Sequence, residues 1–342
     1  MSTSLSSQNH LDWADGTRCI AAFAVVALHV AASAVTDPDL LGTGEWWIAN
    51  AVDAATRWCV PVFVMLSGAL LLAPDVLGDS WGTFYRHRFT RVLMPLAFWS
   101  LFYLAYELYW MHARGESLKW GYLIKQTAIG SPYFHLWYLF MLPGLYLLTP
   151  LLRRMLAVLD RKHLVFLCAG SLLLAVLNKL FSLGQPYTPP FAGVLFVPYL
   201  GYFLAGYLLH TGRQDARWPW PVLLASIALT AAGCGWFAEQ DKLQLGTYFY
   251  DYFSITTVPM GLAAFALCRR LSSHRLATKL APLGFGIYLI HPLVLDLLWQ
   301  ANIRPTSQHP ALAIPLLTCF TFAVSGLGAW LVSKIPLLRR AV

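Results

Sequence analysis

Ten apolar segments of about twenty residues each constrain this chain more than any other feature of its sequence. They lie near residues 16–36, 46–73, 91–112, 133–152, 163–182, 190–210, 219–239, 248–268, 282–302 and 310–334. Each is long enough to cross a bilayer core about 30 Å thick. Only 12% of the 342 residues are charged, against about 25% in soluble domains. We therefore predict an all-α fold, a polytopic membrane bundle of about ten transmembrane helices, which excludes a soluble enzyme, a disulfide scaffold and a disordered chain.

The loops between the spans predict the orientation of the bundle. Cytoplasmic loops carry an excess of Lys and Arg, and with both termini in the cytoplasm the inner side holds 17 of the 24 Lys and Arg. The net charge of +8 is therefore a topology signal, and we expect no nucleic acid partner. Residues 1–15 are predicted to form a short polar cytoplasmic N-terminus.

Spans and short loops account for the whole sequence. We find no appended soluble domain, no cleavable signal peptide and no inverted repeat of the transporter kind. The six cysteines show no CxxC spacing, so we expect them to be small apolar residues rather than metal ligands. The sequence predicts a single integral membrane domain over residues 1–342, without a metal site, whose function is carried by the bundle.

The first span carries two ionisable residues. Arg18 lies at its cytoplasmic end and His29 near the bilayer midplane, where ionisable groups are costly and commonly functional. Eleven residues on a helix complete three turns and about 20°, so both side chains share one face, about 16 Å apart along the axis. This placement suits a ligand with a phosphate head and a long reactive arm. The alternative is a snorkelling Arg18 and a His29 that hydrogen-bonds a neighbouring helix.

A cationic cluster, RHRFTR at 86–91, enters the third span. Arg88 and Arg91 are three residues apart and project from one side of a helix start, so they can jointly hold phosphates. The alternative interpretation is ordinary positive-inside anchoring or contact with anionic lipid.

The second span contains a buried charge. Arg57 lies well below the outer surface, and Asp53, four residues earlier, is its obvious partner. The stretch VPVFVMLSG at 60–68 follows and includes Ser67. We place these three residues on the acceptor side of a site or in a purely structural role.

Two further groups of polar and aromatic residues lie in later spans. His135, Trp137 and Tyr138 occupy the outer start of the fourth span, where Trp and Tyr either form an interfacial belt or stack on a sugar ring. Tyr288 and His291 share one face of the ninth span at mid-membrane depth. A second buried histidine favours a reaction chamber or a proton path over two unrelated structural histidines.

Taken together, these motifs resemble the acyltransferase-3 family of membrane O-acyltransferases. The resemblance rests on five motifs in order along the chain: Arg18-x10-His29, Arg88-Phe-Thr-Arg91, VPVFVMLSG at 60–68, HLWYL at 135–139 and GIYLIH at 286–291. The branch looks like the bacterial polysaccharide O-acetyltransferases, for example the type that acetylates enterobacterial common antigen. The chain would then reside in the bacterial cytoplasmic (inner) membrane as a multi-pass protein.

The resemblance implies transfer of an acetyl group, or another short acyl group, from cytosolic acyl-CoA to a hydroxyl of a cell-surface polysaccharide or its lipid-linked precursor. His29 matches the essential histidine of the family, and Arg18, Arg88 and Arg91 match its arginines, which we expect to bind acyl-CoA. A neutral His29, favoured by burial, would deprotonate the acceptor hydroxyl or carry the acyl group itself. Tyr288 or His291 is a candidate second catalytic donor.

The implied partners are acetyl-CoA or another acyl-CoA as co-substrate, a glycan or lipid-linked oligosaccharide acceptor, and the bilayer. No cofactor is expected to be permanently bound. Family members often continue into an outer esterase-like domain, whereas this chain ends at Val342 after its tenth span. We therefore expect it to complete the transfer alone or with a separate partner, which includes glycan assembly proteins.

Two other functions compete with acyl transfer. A transporter or flippase would use Arg57, His29 and His291 to line a substrate path, although no repeat symmetry is visible and the cations concentrate on one side. A pseudo-enzyme that scaffolds a glycan assembly machine is the third possibility. The presence of Arg18, His29, Arg88 and Arg91 argues against a pseudo-enzyme, because a scaffold does not need these residues.

Overall fold

The computed structural model describes residues 2–73, 80–117, 119–185, 189–213, 217–270 and 275–342. Over these ranges the chain forms helices and turns and no strand, so the all-α prediction is confirmed. The α-helices are α1 (Ser2–Val35), α2 (Gly44–Thr56), α3 (Cys59–Leu71), α4 (Trp81–Ala113), α5 (Trp120–Ala128), α6 (Trp137–Val158), α7 (Arg161–Phe181), α8 (Leu200–His210), α9 (Pro219–Ala238), α10 (Leu243–Gly246), α11 (Thr257–Cys268), α12 (Arg275–Leu280), α13 (Gly284–Gln300) and α14 (Pro310–Lys334).

Within the described ranges, nine helical segments are long and apolar enough to cross a membrane, judged by length and composition. They coincide with nine of the predicted spans, and the second of them, Gly44–Leu71, contains both α2 and α3. The chain is therefore a polytopic membrane bundle, as its apolar segments predict.

The eighth predicted span, 248–268, is not a continuous helix. Its helical part, α11, has only 12 residues and measures about 18 Å. Before it, the Asp251 carboxylate accepts a hydrogen bond from the Phe253 amide (2.9 Å), and the Ser254 hydroxyl accepts one from the Thr257 amide (3.0 Å). Such side-chain bonds to nearby backbone compete with helix formation. Irregular backbone inside a span is tolerated where protein surrounds it, and Ser254 is fully buried.

Two helices begin earlier than the apolar segments predict. α4 starts at Trp81, where the Ser80 hydroxyl caps it by accepting from the Thr83 amide, so the cluster RHRFTR lies inside the helix rather than at its entrance. α1 starts at Ser2, so the polar N-terminal segment is helical from Ser2 onward.

α1 is the central helix of the bundle, packing against α2, α3, α13 and α14. α3 and α8 make the closest crossing, where a Cβ atom added at Gly68 or Gly206 would collide with the backbone of the opposite helix. Small residues allow membrane helices to approach in this way. The central position of α1 brings the side chains along one of its faces into the middle of the protein.

Candidate functional site

A cavity of about 490 Å³ runs along α1 and is called the inner cavity. Its walls come from α1, α3, α4, α6 and α13 and from the break before α11. The predicted site residues that line it are Arg18, His29, Ser67, Arg91, His135, Trp137, Tyr138 and Tyr288. Arg18 and His29 therefore open onto the same space, as their shared helix face predicts.

One end of the inner cavity is cationic. Arg18 and Arg91 line it, and Arg18 Nη1 forms an ion pair with Asp15 Oδ1 at 2.6 Å. Arg88 does not line the cavity, but its guanidinium, like those of Arg18 and Arg91, interacts electrostatically with the Tyr146 hydroxyl. The three predicted arginines thus converge on one end of the cavity, which lies on the predicted cytoplasmic side.

Asp15 and Tyr146 also line this end of the cavity, although neither was a predicted site residue. Asp15 lies three residues before Arg18, a spacing that places two helical side chains side by side. Tyr138, Leu142 and Tyr146 recur every four residues along one face of α6, and all three line the cavity. Both spacings can be recognised in the sequence, and both predict side chains on a common helix face.

Three histidines from different elements cluster at the other end of the inner cavity, where His29 and His135 line the cavity and His291 is buried beside them. The ring centroid of His29 lies 5.3 Å from that of His291, with an angle of 27° between the planes, and His135 lies 5.7 Å from His291. His29 also contacts the ring of Phe134, at 5.1 Å. The described residues contain no group of three or more His, Cys, Asp or Glu that could hold a metal ion.

Tyr288 and His291 take different positions although they share a helix face. Tyr288 lines the inner cavity, and its hydroxyl donates a hydrogen bond to the backbone carbonyl of His135. His291 is completely buried behind His29, and its Nδ1 lies 3.2 Å from the Ile287 carbonyl. Only Tyr288 of this pair therefore opens onto the cavity.

Trp137 and Tyr138 form part of the cavity wall instead of an interfacial belt. The ring of Trp137 packs 5.6 Å from Tyr199 and 5.8 Å from Tyr252. Tyr252 also lines the cavity and belongs to the irregular segment before α11. Tyr252 was not among the predicted site residues, because a continuous eighth span gives it no special position.

Asp53 and Arg57 form the predicted ion pair, at 2.5 Å, but neither lines the inner cavity. Arg57 also donates to the Tyr250 carbonyl (3.3 Å), and its guanidinium lies 4.2 Å from the centre of the Tyr250 ring. The Tyr250 hydroxyl donates to Asn50 Oδ1 (2.5 Å). This network connects the start of the irregular segment to α2. It thereby stabilises the segment that carries Tyr252 into the cavity wall.

A second cavity, of about 420 Å³, lies on the predicted outer side and is called the outer cavity. The residues that line it are His29, Ala32, Ser33, Thr36, Asp37, Phe134, Trp299, Arg304 and Thr306. Except for His29, none was a predicted site residue. They come from three separate stretches of sequence, and no local spacing connects them.

His29 lines both cavities. A compound in the inner cavity and one in the outer cavity would therefore both contact the imidazole of His29. This arrangement allows a group to pass between two bound substrates, with a base at the point of transfer.

A family model whose description is an acyltransferase domain matches residues 11–330, nearly the whole chain. No curated protein and no solved structure matches the chain significantly.

Proposed function

Because the chain belongs to the acyltransferase-3 family and is a multi-pass membrane acyltransferase, we propose that it transfers an acetyl or other short acyl group from cytosolic acyl-CoA to a hydroxyl of a cell-surface polysaccharide or its lipid-linked precursor. The proposed location is the bacterial inner membrane. The observation that carries the proposal is the position of His29 between two cavities.

The inner cavity supports acyl-CoA as the donor. CoA has a phosphorylated head and a pantetheine arm that ends in the thioester. Arg18 and Arg91 at one end of the cavity, with Arg88 nearby, supply charge-assisted hydrogen bonds for phosphates. His29 lies about 16 Å further along α1, a distance on the order of the length of the arm.

The outer cavity supports a glycan as the acceptor. Trp299 and Phe134 offer ring faces, and Ser33, Thr36 and Thr306 offer hydroxyls. Sites for neutral, hydroxyl-rich compounds combine apolar ring faces with a few polar groups that fix orientation. Trp137 and Tyr138, which we predicted on the acceptor side or in a structural role, line the inner cavity, and we propose the outer set for the acceptor.

In the proposed reaction, the acceptor hydroxyl attacks the thioester carbonyl. The C–S bond breaks, a C–O bond forms, His29 takes the hydroxyl proton, and that proton then passes to the CoA thiolate to give the free thiol. In the covalent alternative, His29 first accepts the acyl group and then transfers it to the acceptor. Tyr288 lines the cavity and His291 does not, but the Tyr288 hydroxyl already donates to the His135 carbonyl. It would therefore have to give up that bond to donate to the oxyanion.

Mass spectrometry of surface glycans tests the proposal. Glycans from cells with the intact gene are compared with glycans from cells that lack it and from cells with His29→Ala. We expect the mass increment of an acyl group with the intact protein only. His163→Ala is the matched control, since His163 is exposed on α7 and lies in neither cavity.

Unchanged acylation in the His29→Ala strain would refute the catalytic assignment. If acylation stays unchanged without the gene while lipid-linked glycan accumulates on the cytoplasmic side, the protein is a flippase rather than an acyltransferase of glycans.

A further inference from the structure

We propose that His291 is a positioning residue that accepts a hydrogen bond from one ring nitrogen of His29. The other ring nitrogen of His29 then keeps its lone pair and is the base that faces the substrates. The catalytic consequence rests on the proposed function. The hydrogen bond itself can be tested without it.

The tautomer of His291 follows from its backbone contacts. His291 Nδ1 lies 3.2 Å from the Ile287 carbonyl, and a carbonyl oxygen only accepts hydrogen bonds. Pro292, inside α13, has no N–H and leaves the Tyr288 carbonyl without its helical donor; this carbonyl also interacts with the His291 ring. Nδ1 therefore carries the hydrogen, and Nε2 of the neutral ring carries a lone pair.

This lone pair is buried without a donor. His291 is 0% exposed, and Nε2 has no hydrogen-bond partner among the described residues. Leaving a buried acceptor unsatisfied costs about 1–3 kcal/mol, and native structures rarely leave such groups unpaired. The position of Nε2 therefore calls for a donor from a neighbouring side chain.

Of the neighbouring rings, His29 fits best as this donor. The Tyr288 hydroxyl already donates to the His135 carbonyl. Both ring nitrogens of His135 are also buried without a hydrogen-bond partner among the described residues, but its ring lies farther from His291, at 5.7 Å with 74° between the planes. His29 lies 5.3 Å from His291 with the two rings stacked at 27°. An N–H···N bond of about 2.9 Å joins two imidazoles edge to edge, with centroids about 5 Å apart, so His29 has to rotate out of the stack to close the bond.

The hydrogen bond would determine the chemistry of His29. The hydrogen bond made by one ring nitrogen decides which nitrogen carries the proton, so donation to His291 leaves the other nitrogen of His29 with its lone pair. That nitrogen is then the base available to a substrate in the cavities. When it takes the hydroxyl proton, His29 becomes cationic and its bond to His291 becomes charge-assisted and stronger. An orienting partner behind a catalytic histidine has the same role in hydrolase triads.

The first experiment measures the tautomer of His29 directly. Nitrogen-15 NMR spectra of histidine-labelled protein are recorded for the wild type, His291→Leu and His291→Gln, with the His29 signal assigned by its loss in His29→Gln. We expect one dominant His29 tautomer in the wild type, a mixture in His291→Leu, and recovery in His291→Gln, whose amide oxygen supplies an acceptor. Ile290→Val is the packing control, because Ile290 packs against α14.

The second experiment measures kinetics with acetyl-CoA on the same variants. We expect kcat to fall about 10- to 100-fold in His291→Leu, as the loss of one buried hydrogen bond implies, with KM for acetyl-CoA unchanged. His291→Gln should recover part of kcat. A purely structural role for His291 would lower kcat equally in Leu and Gln variants.

An unchanged His29 tautomer in His291→Leu overturns the inference, whatever the kinetics. If the tautomer responds as expected but the wild type transfers no acyl group, the hydrogen bond stands and the proposed function fails. The two failures are therefore distinguishable.

Discussion

The inner and outer cavities meet at one histidine but differ in charge. The inner cavity has the guanidinium groups of Arg18 and Arg91 and, among its described lining residues, the single carboxylate of Asp15. The outer cavity balances one guanidinium, Arg304, against one carboxylate, Asp37. A cationic cavity suits a polyanion, whereas a balanced one suits a neutral, hydroxyl-rich compound. In the proposed function, the two substrates are therefore separated by charge as well as by side of the membrane.

Removing His29 should have the largest effect, because it is common to both cavities. We expect His29→Ala to reduce acyl transfer by about 1000-fold or more, the contribution of a positioned general base with its orientation, and to leave expression and membrane insertion intact. Transfer of radiolabelled acetyl from acetyl-CoA in isolated membranes measures the effect. Binding of acetyl-CoA to the variant should persist, and its loss would mean that His29 shapes the inner cavity rather than acting as a base.

Changes at the cationic end should affect only the donor. We expect Arg91→Ala to raise KM for acetyl-CoA about 10-fold, because it removes a charge-assisted contact to phosphate. Arg88→Ala should have a smaller effect, since Arg88 does not line the cavity. Arg86→Ala is the matched control on the same helix. An equal rise in KM for acetyl-CoA in that variant would mean that the cluster RHRFTR serves only to anchor the helix at the membrane surface.

Changes in the outer cavity should affect only the acceptor. Trp299→Ala removes a ring face from that cavity, and we expect acylation of the cell's own glycan to fall about 10-fold while KM for acetyl-CoA stays unchanged. Trp236→Ala is the control, since Trp236 is 66% exposed on α9. If KM for acetyl-CoA rose instead, the two cavities would not be functionally separate.

The smallest effect is expected from the ion pair at the inner cavity. Arg18 binds Asp15 at 2.6 Å, so the carboxylate competes with a phosphate for the same guanidinium. We expect Asp15→Asn to lower KM for acetyl-CoA two- to threefold, roughly the value of a partly exposed ion pair. Kinetics at low and high salt measure this, and the difference should shrink as salt screens the pair. A higher KM would mean that Asp15 holds Arg18 in its binding position.

Periodicity along single helices was the reliable part of the sequence analysis. The spacing of Arg18 and His29 predicts their common face, and both open onto one cavity. The i,i+4 spacing of Asp53 and Arg57 predicts their ion pair, which forms. These predictions succeed because a helix sets the direction of each side chain by its position in the sequence.

The eighth span shows where this reasoning fails. Its hydropathy predicts one helix over 248–268, but backbone amides donate hydrogen bonds to the Asp251 and Ser254 side chains, and the helix begins only at Thr257. The break survives because neighbouring helices bury it and Arg57 binds its first carbonyl. Average hydropathy does not depend on such contacts. Tyr252 was therefore not predicted as a site residue.

Two properties of this protein follow from its sequence without a structure: the chain is a bundle of membrane-spanning helices, and His29 lies about 16 Å along α1 from Arg18, on the same face. Apolar segment length and helical spacing suffice for both, because they are local properties. Helix packing brings together residues from different helices: it sets the contact of His29 with His291, the outer cavity around Trp299, and the position of Trp137 in the inner wall. Those contacts depend on how the helices pack, and packing is a property of the whole chain that no single span encodes.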